Sequence, residues 1–182
     1  MPENRSSLCP AGGQFTIVSG GQTGVDRAAL DAAMDLGIPV AGWCPRYRRA
    51  EDGRVPDAYP LSETESRRYS VRTEWNVRDS DGTLIVALDQ ITGGTELTLA
   101  MASQYGRAVQ VIRLLRDWPQ SHSGENSRTN DVHSVVDWIA KHRIRVLNVA
   151  GPRGSSDERV YSLSRRFCTQ VFEAVLALPE PG

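Results

Sequence analysis

The chain is poor in the residues that usually announce a chemistry. Lys141 is the only lysine among 21 basic residues, the others being arginine. Cys9, Cys44 and Cys168 have neither the even count nor the close spacing of a disulfide framework or a zinc site. His122, His133 and His142 are scattered, which leaves a histidine metal site or a Ser-His-Asp triad without support. No apolar run approaches the roughly 20 residues that span a bilayer, and the polar start MPENRSSLCPAGGQ lacks the apolar stretch of a signal peptide. These absences predict a cytoplasmic protein in a reducing compartment, without a membrane partner. The P-loop pattern GxxxxGK[ST] and the dinucleotide fingerprint GxGxxG are missing as well.

What remains is ordinary globular material. The 182 residues are 40% hydrophobic and 24% charged, with a formal net charge of −1. That balance excludes a disordered chain and a protein that coats nucleic acid. One domain over residues 14–178 is expected, preceded by a flexible tail at 1–13. The arginines supply planar guanidinium forks suited to phosphate or carboxylate.

Short β-branched or apolar runs at 15–19, 38–42, 83–88, 109–114 and 146–150 read as strands. Helical patterns at 25–36, 65–78, 96–105, 132–142 and 158–176 alternate with them. The alternation predicts an α/β, Rossmann-like three-layer sandwich with a mainly parallel sheet. Residues 46–60 are polar and arginine-rich, with a glycine and two prolines, and read as a long loop that either closes over a ligand or is simply solvated. Residues 117–130 read as a surface insertion. Ligands of such sheets sit outside the carboxyl ends of the strands, where strand order reverses.

Three glycine loops fall at strand ends. In SGGQTGVDRA, Gly20, Gly21 and Gly24 allow a tight turn whose backbone N–H groups, with those of Gln22 and Thr23, can meet an anion at the start of a helix. Thr23 with Asp26 is expected to cap that helix, and Arg27 to reach the same anion. In TGGTE, Gly93, Gly94 and Thr95 follow Thr92 and offer a second phosphate contact, with Thr95 as a cap. Glu96 there is either a dipole-favoured first-turn carboxylate or an acid/base residue. In AGPRGSSDE, Gly151 begins the turn, Arg153 sits at the mouth of the same face, and Ser155 with Glu158 forms a capping box for the last helix. Each loop also has a purely structural reading as a tight turn.

Arg72 and Asn76 are four residues apart and share a helix face that can line the site, with Thr73 and Trp75 beside them. Trp43 follows a strand and either stacks on a flat heterocycle or packs in the core. Cys44 reads as a small buried hydrophobe.

The segments IVSGGQTGVDRAALDAA, GWCP, AEDGRVPDAYPLSETES, YSVRTEWNVRDSDGTLIV, GGTELT and VLNVAGPR together resemble the molybdenum-cofactor carrier family, over residues 15–172. The resemblance implies a Rossmann-like protein that binds the molybdenum cofactor (molybdopterin), a phosphorylated pterin with a dithiolene-held metal. It also implies transfer to molybdoenzymes and a homo-oligomer. A more distant relationship leads to the lysine decarboxylase-like phosphoribohydrolases, whose PGGxGTxxE motif has its nearest counterpart in TGGTE. That counterpart lacks the leading proline and has a different glutamate spacing. The leading expectation is a non-enzymatic carrier of a phosphorylated pterin or nucleotide-like ligand, with no metal held by side chains. The alternatives are a nucleotide 5′-monophosphate phosphoribohydrolase using Glu96 and a nucleotide-sensing module.

Overall fold

The computed structural model describes residues 14–88, 90–91, 93–114 and 125–179, excluding the side chains of 125–130. The expected tail at 1–13, Thr92 and positions 117–124 of the expected insertion lie outside the described residues. The elements run β1 (Thr16–Val18), α1 (Val25–Asp35), β2 (Val40–Ala41), β3 (Trp43–Cys44), β4 (Arg49–Ala50), β5 (Gly53–Arg54), β6 (Ser62–Glu63), α2 (Tyr69–Arg78), β7 (Gly82–Ala87), α3 (Gly94–Gln104), β8 (Ala108–Arg113), α4 (Glu125–Lys141), β9 (Val146–Ala150) and α5 (Val160–Leu176).

The five runs read as strands form one parallel sheet in the order β2-β1-β9-β7-β8. From β1 the chain steps outward to β2, and from β7 it steps outward the other way to β8. The last strand, β9, then returns to the middle. Right-handed crossovers in opposite directions put helices on opposite faces. Accordingly α5 packs on α1 and α4, while α2 packs on α3, which is the three-layer sandwich the alternation predicts. The reversal of direction places the topological switch at the carboxyl ends of β1, β9 and β7.

Strand alternation decides what each face holds. Ile17, Leu84, Val86, Leu147 and Val149 join Val25, Phe167 and Phe172 in the main core against α1, α4 and α5. Asn148 falls on the opposite face. It is paired in register with Thr83, and its amide donates to the Thr83 hydroxyl at 3.2 Å. A polar pair in a strand otherwise built of apolar residues marks the α2/α3 side as the one with chemistry.

Two expectations change. Helix α4 begins at Glu125 rather than 132, because its first turns are polar and show no apolar period. Residues 46–61 are a built substructure rather than an open loop. β3 pairs with β6 and β4 with β5, and Leu30, Cys44, Ala50, Val55, Tyr59 and Leu61 form a second small core. Its centre is Arg48, only 7% exposed. The Arg48 guanidinium donates to the carbonyls of Val55, Pro56, Tyr59 and Leu61 at 2.8–3.0 Å. Four oriented carbonyls solvate a charge that would otherwise be too costly to bury.

Candidate ligand site

All three glycine loops lie at the switch, but they meet different partners. A Cβ on Gly20 would lie 1.6 Å from Nη1 of Arg72, and one on Gly21 would collide with Leu61 and Val55 at 2.7 and 2.8 Å. Gly24 adopts φ 82°, and a Cβ there would fall 2.5 Å from the Pro152 carbonyl oxygen. Glycine is therefore required in the first loop because the rest of the protein sits against it. Three amides around the loop are already engaged. Gln22 N–H donates to Asp26, Thr23 N–H to the Gln22 side chain, and Val25 N–H to the Pro152 carbonyl.

The third loop is filled in the same way. Glu51, from the 46–61 strap, accepts from the Ser155 N–H at 3.1 Å and the Ser155 hydroxyl at 2.6 Å, and it is also bonded to the Thr23 hydroxyl. The Gly154 N–H donates to that same Thr23 oxygen at 3.0 Å. Burial alone would push the Glu51 carboxyl up. The hydrogen bonds from Ser155 and Thr23, helped by the charge of Arg153, outweigh it and hold the carboxyl below its ordinary range. Next to it, Asp52 receives both Nη atoms of Arg27 at 2.6 and 2.8 Å, and that bond holds its carboxyl low as well. Two adjacent carboxylates thus pin the strap across the first and third loops. We refer to this region as the closed junction.

The second loop is open. Gly93, at φ 55°, is the N-cap of α3, and among the described residues no side chain caps the helix and a Cβ on either Gly93 or Gly94 would meet nothing within 4 Å. The first-turn N–H groups of a helix have no intrahelical acceptor, and they carry the positive end of the dipole. Gly94 borders a crevice whose opposite wall is one face of α2: Tyr69, Arg72, Thr73 and Asn76, at i, i+3, i+4 and i+7. Leu97 and Thr98 continue the α3 wall, and β9 from Asn148 to Gly151 forms the floor together with Asp26. Gly151 is fixed by packing, since a Cβ there would lie 2.2 Å from the Val86 carbonyl oxygen.

The charged members of this lining are Asp26 and Arg72, paired at 2.8 Å with side chains 4% and 15% exposed. Nη1 of Arg72 is spent on Asp26, whereas its buried Nε has no hydrogen-bond partner among the described residues. A buried guanidinium N–H left unpaired on a residue that lines the crevice lacks an acceptor.

The crevice therefore gathers Arg72, Asn76, Gly94 and Gly151 of the expected site. Asn76 is committed to structure, because its amide grips both the N–H and the C=O of Trp43, at 2.7 and 3.0 Å. Trp43 is outside the lining. Its indole N–H donates to Asp79 at 2.8 Å, and its ring stands edge-on to Trp75 at 4.7 Å. Arg27 and Arg153 serve the closed junction. Thr23 is not a helix cap, because Gly24 holds that position without a side-chain bond. Thr95 is buried behind the Gly93 cap, and Ser155 belongs to a 3₁₀ turn before α5, which starts at Val160. Glu96 is exposed and outside the crevice lining. Tyr69, Thr98, Asn148 and the Asp26 carboxylate are the polar lining groups that sequence reasoning missed. Two signals were available: the polar Asn148 inside VLNVA, and the extension of the Arg72/Asn76 face to Tyr69 and Thr73.

Three comparisons bear on this geometry. The family model for the circularly permutated YpsA SLOG family matches residues 17–172. A crystal structure named "putative molybdenum carrier protein", from Syntrophus aciditrophicus SB, is 41% identical, with a TM-score of 0.78. The match covers 91% of this chain and 96% of that one. No curated protein sequence matches.

Proposed function

Since the chain belongs to the circularly permutated YpsA SLOG family, we propose that it binds a phosphorylated pterin, the molybdenum cofactor, in the crevice outside β1, β9 and β7 and carries it without transforming it. The observation that carries this reading is the pairing of an uncovered helix N-terminus at Gly93–Gly94 with the orphaned Nε of Arg72 in one crevice. The 41% identity to a protein named as a molybdenum carrier supplies the chemical class.

In this reading the phosphate takes the amides of Gly93 and Gly94 and the guanidinium of Arg72. Tyr69 offers a ring to the heterocycle. The first loop acts indirectly: Gly20 makes room for Arg72, and α1 brings Asp26 beneath it. Among the described residues no His, Cys, Asp and Glu cluster is arranged to hold a metal. Molybdenum would therefore travel on the pterin's own sulfurs as part of the cargo. The exposed Glu96 has no place in such a carrier.

The test is retention of cofactor released from a molybdoenzyme, read as molybdenum and pterin co-eluting with the protein. Gly94→Asp adds a carboxylate where nothing lies within 4 Å, so the fold should tolerate it while the anion is repelled. We expect at least about a tenfold loss of retention. Undiminished retention by Gly94→Asp would remove the phosphate from this loop, and no retention by the wild type would remove the carrier reading.

A further inference from the structure

Resting on that crevice as the ligand site, we infer that Asp26 reads a hydrogen-bond donor on the ligand, so that the compound bound must carry an N–H or O–H donor as well as an anion.

The Asp26 carboxylate spends one oxygen on the protein: Oδ2 receives Nη1 of Arg72 at 2.8 Å and the Gln22 N–H at 3.2 Å. No described residue donates to its Oδ1. Thr73 gives its only hydroxyl proton to the Tyr69 carbonyl, and Thr98 gives its own to the Gly94 carbonyl. Asn148 turns its amide nitrogen to Thr83, leaving its carbonyl oxygen as an acceptor. The donors left over include the Nε of Arg72, the hydroxyl of Tyr69 and the first amides of α3.

The crevice is thus divided. Donors collect at the Gly93–Gly94 end and on the Tyr69/Arg72 face of α2, and acceptors collect at Asp26 Oδ1, Asn148 and the two threonine hydroxyls. A ligand that covered Asp26 without giving it a donor would strip water from a carboxylate oxygen and return nothing, a cost that excludes such ligands. Two groups supply the donor: the exocyclic amine on the amino-lactam edge shared by guanine and pterin, or the 2′ hydroxyl of a ribose. Asp26 is therefore a specificity-determining residue, and the Arg72 pair fixes which of its oxygens does the reading.

Titration calorimetry with three probes separates the sources. Guanosine monophosphate has both donors, inosine monophosphate lacks the exocyclic amine, and 2′-deoxyguanosine monophosphate lacks the 2′ hydroxyl. With the wild type, loss of the donor that Asp26 reads should weaken binding about tenfold to a hundredfold. Weakening with the inosine compound assigns the amine, and weakening with the deoxy compound assigns the hydroxyl. In Asp26→Asn the amide oxygen stays on Arg72 and Gln22, and its N–H donors turn toward the ligand. The preference should then collapse to within about twofold. Asp26→Glu keeps the charge, should retain part of the preference, and serves if the asparagine variant does not fold.

Equal wild-type affinity for the three probes would overturn the inference, as would a preference that survives Asp26→Asn. Failure of guanosine monophosphate to bind at all would overturn it too, while cofactor retention decides the carrier reading on its own.

Discussion

The closed junction and the open crevice are built from the same sequence device and have opposite fates. In both, glycines lie between a strand and the helix that follows it. At the junction, Gly21 and Gly24 are glycine because Val55, Leu61 and Pro152 press against them, and Glu51 occupies the anion position at Ser155. At the crevice, Gly93 and Gly94 press against none of the described residues. A glycine loop reports close approach or a left-handed backbone. Whether a ligand or the protein's own chain makes the approach is settled by distant segments, here the 46–61 strap.

The comparison is broken most forcefully by adding one methyl group on each side. At the junction, Gly24→Ala places a carbon 2.5 Å from the Pro152 carbonyl oxygen at a backbone φ of 82°, which the backbone on neither side can vacate. We expect a loss of about 3 kcal/mol or more in a denaturant titration. Gly94→Ala has free space and a first-turn helical position, so it should be neutral or stabilising by about 0.5 kcal/mol. Equal costs at the two positions would mean that the second loop is covered too.

The same contrast explains what was legible in the sequence. All five sheet strands and the helical alternation were readable because burial on a parallel sheet demands apolar runs, and helices on its faces demand a different period. The Arg72/Asn76 face was readable from spacing. The roles of Arg27 and Arg153 were not, because their partners Asp52 and Glu51 are at least 25 positions away and lie in a segment whose composition reads as loop. Arg48 was hidden for a related reason. A buried arginine solvated by four carbonyls has no local pattern, and the charge that looked like a solvated face is the centre of the strap.

Opening the junction is a smaller perturbation than overpacking it. Glu51→Gln removes the charge that draws together Ser155, Thr23 and Arg153, at an expected cost of about 1–2 kcal/mol. The loss should appear as faster exchange of the Val55 amide, which is bonded to the Arg48 carbonyl at 2.7 Å. Acid should do the same. Glu51 and Asp52 are held below their ordinary values of 4.5 and 3.8, so the unfolded chain binds protons more readily there. Their contribution is complete above those values and is lost as pH falls through the lower folded ones. Protection of Val55 should therefore be flat at neutral pH and fall only below about pH 4, with a smaller acid step in Glu51→Gln. Protection that falls near pH 6 would assign the latch to other groups.

The smallest effect sharpens the comparison most, because it separates two arginines that sequence reasoning treated alike. Arg153 is 62% exposed and approaches Glu51 only at 3.5 Å. Exposed pairs of that kind contribute between nothing and about 1 kcal/mol. Arg153→Ala should change stability by less than about 0.5 kcal/mol and leave cofactor retention unchanged, whereas Arg72→Met, which strips the crevice of its cation, should reduce retention at least about tenfold. The methionine keeps the packing over Gly20, so the two variants differ chiefly in which anion position loses its guanidinium. If Arg153→Ala lowered retention as much as Arg72→Met, the strap would have to leave the junction when cargo arrives, giving up the Ser155 and Thr23 bonds of Glu51. The closed junction would then be a second half of the ligand site, and the Glu51 carboxylate a tethered substitute for part of the cargo.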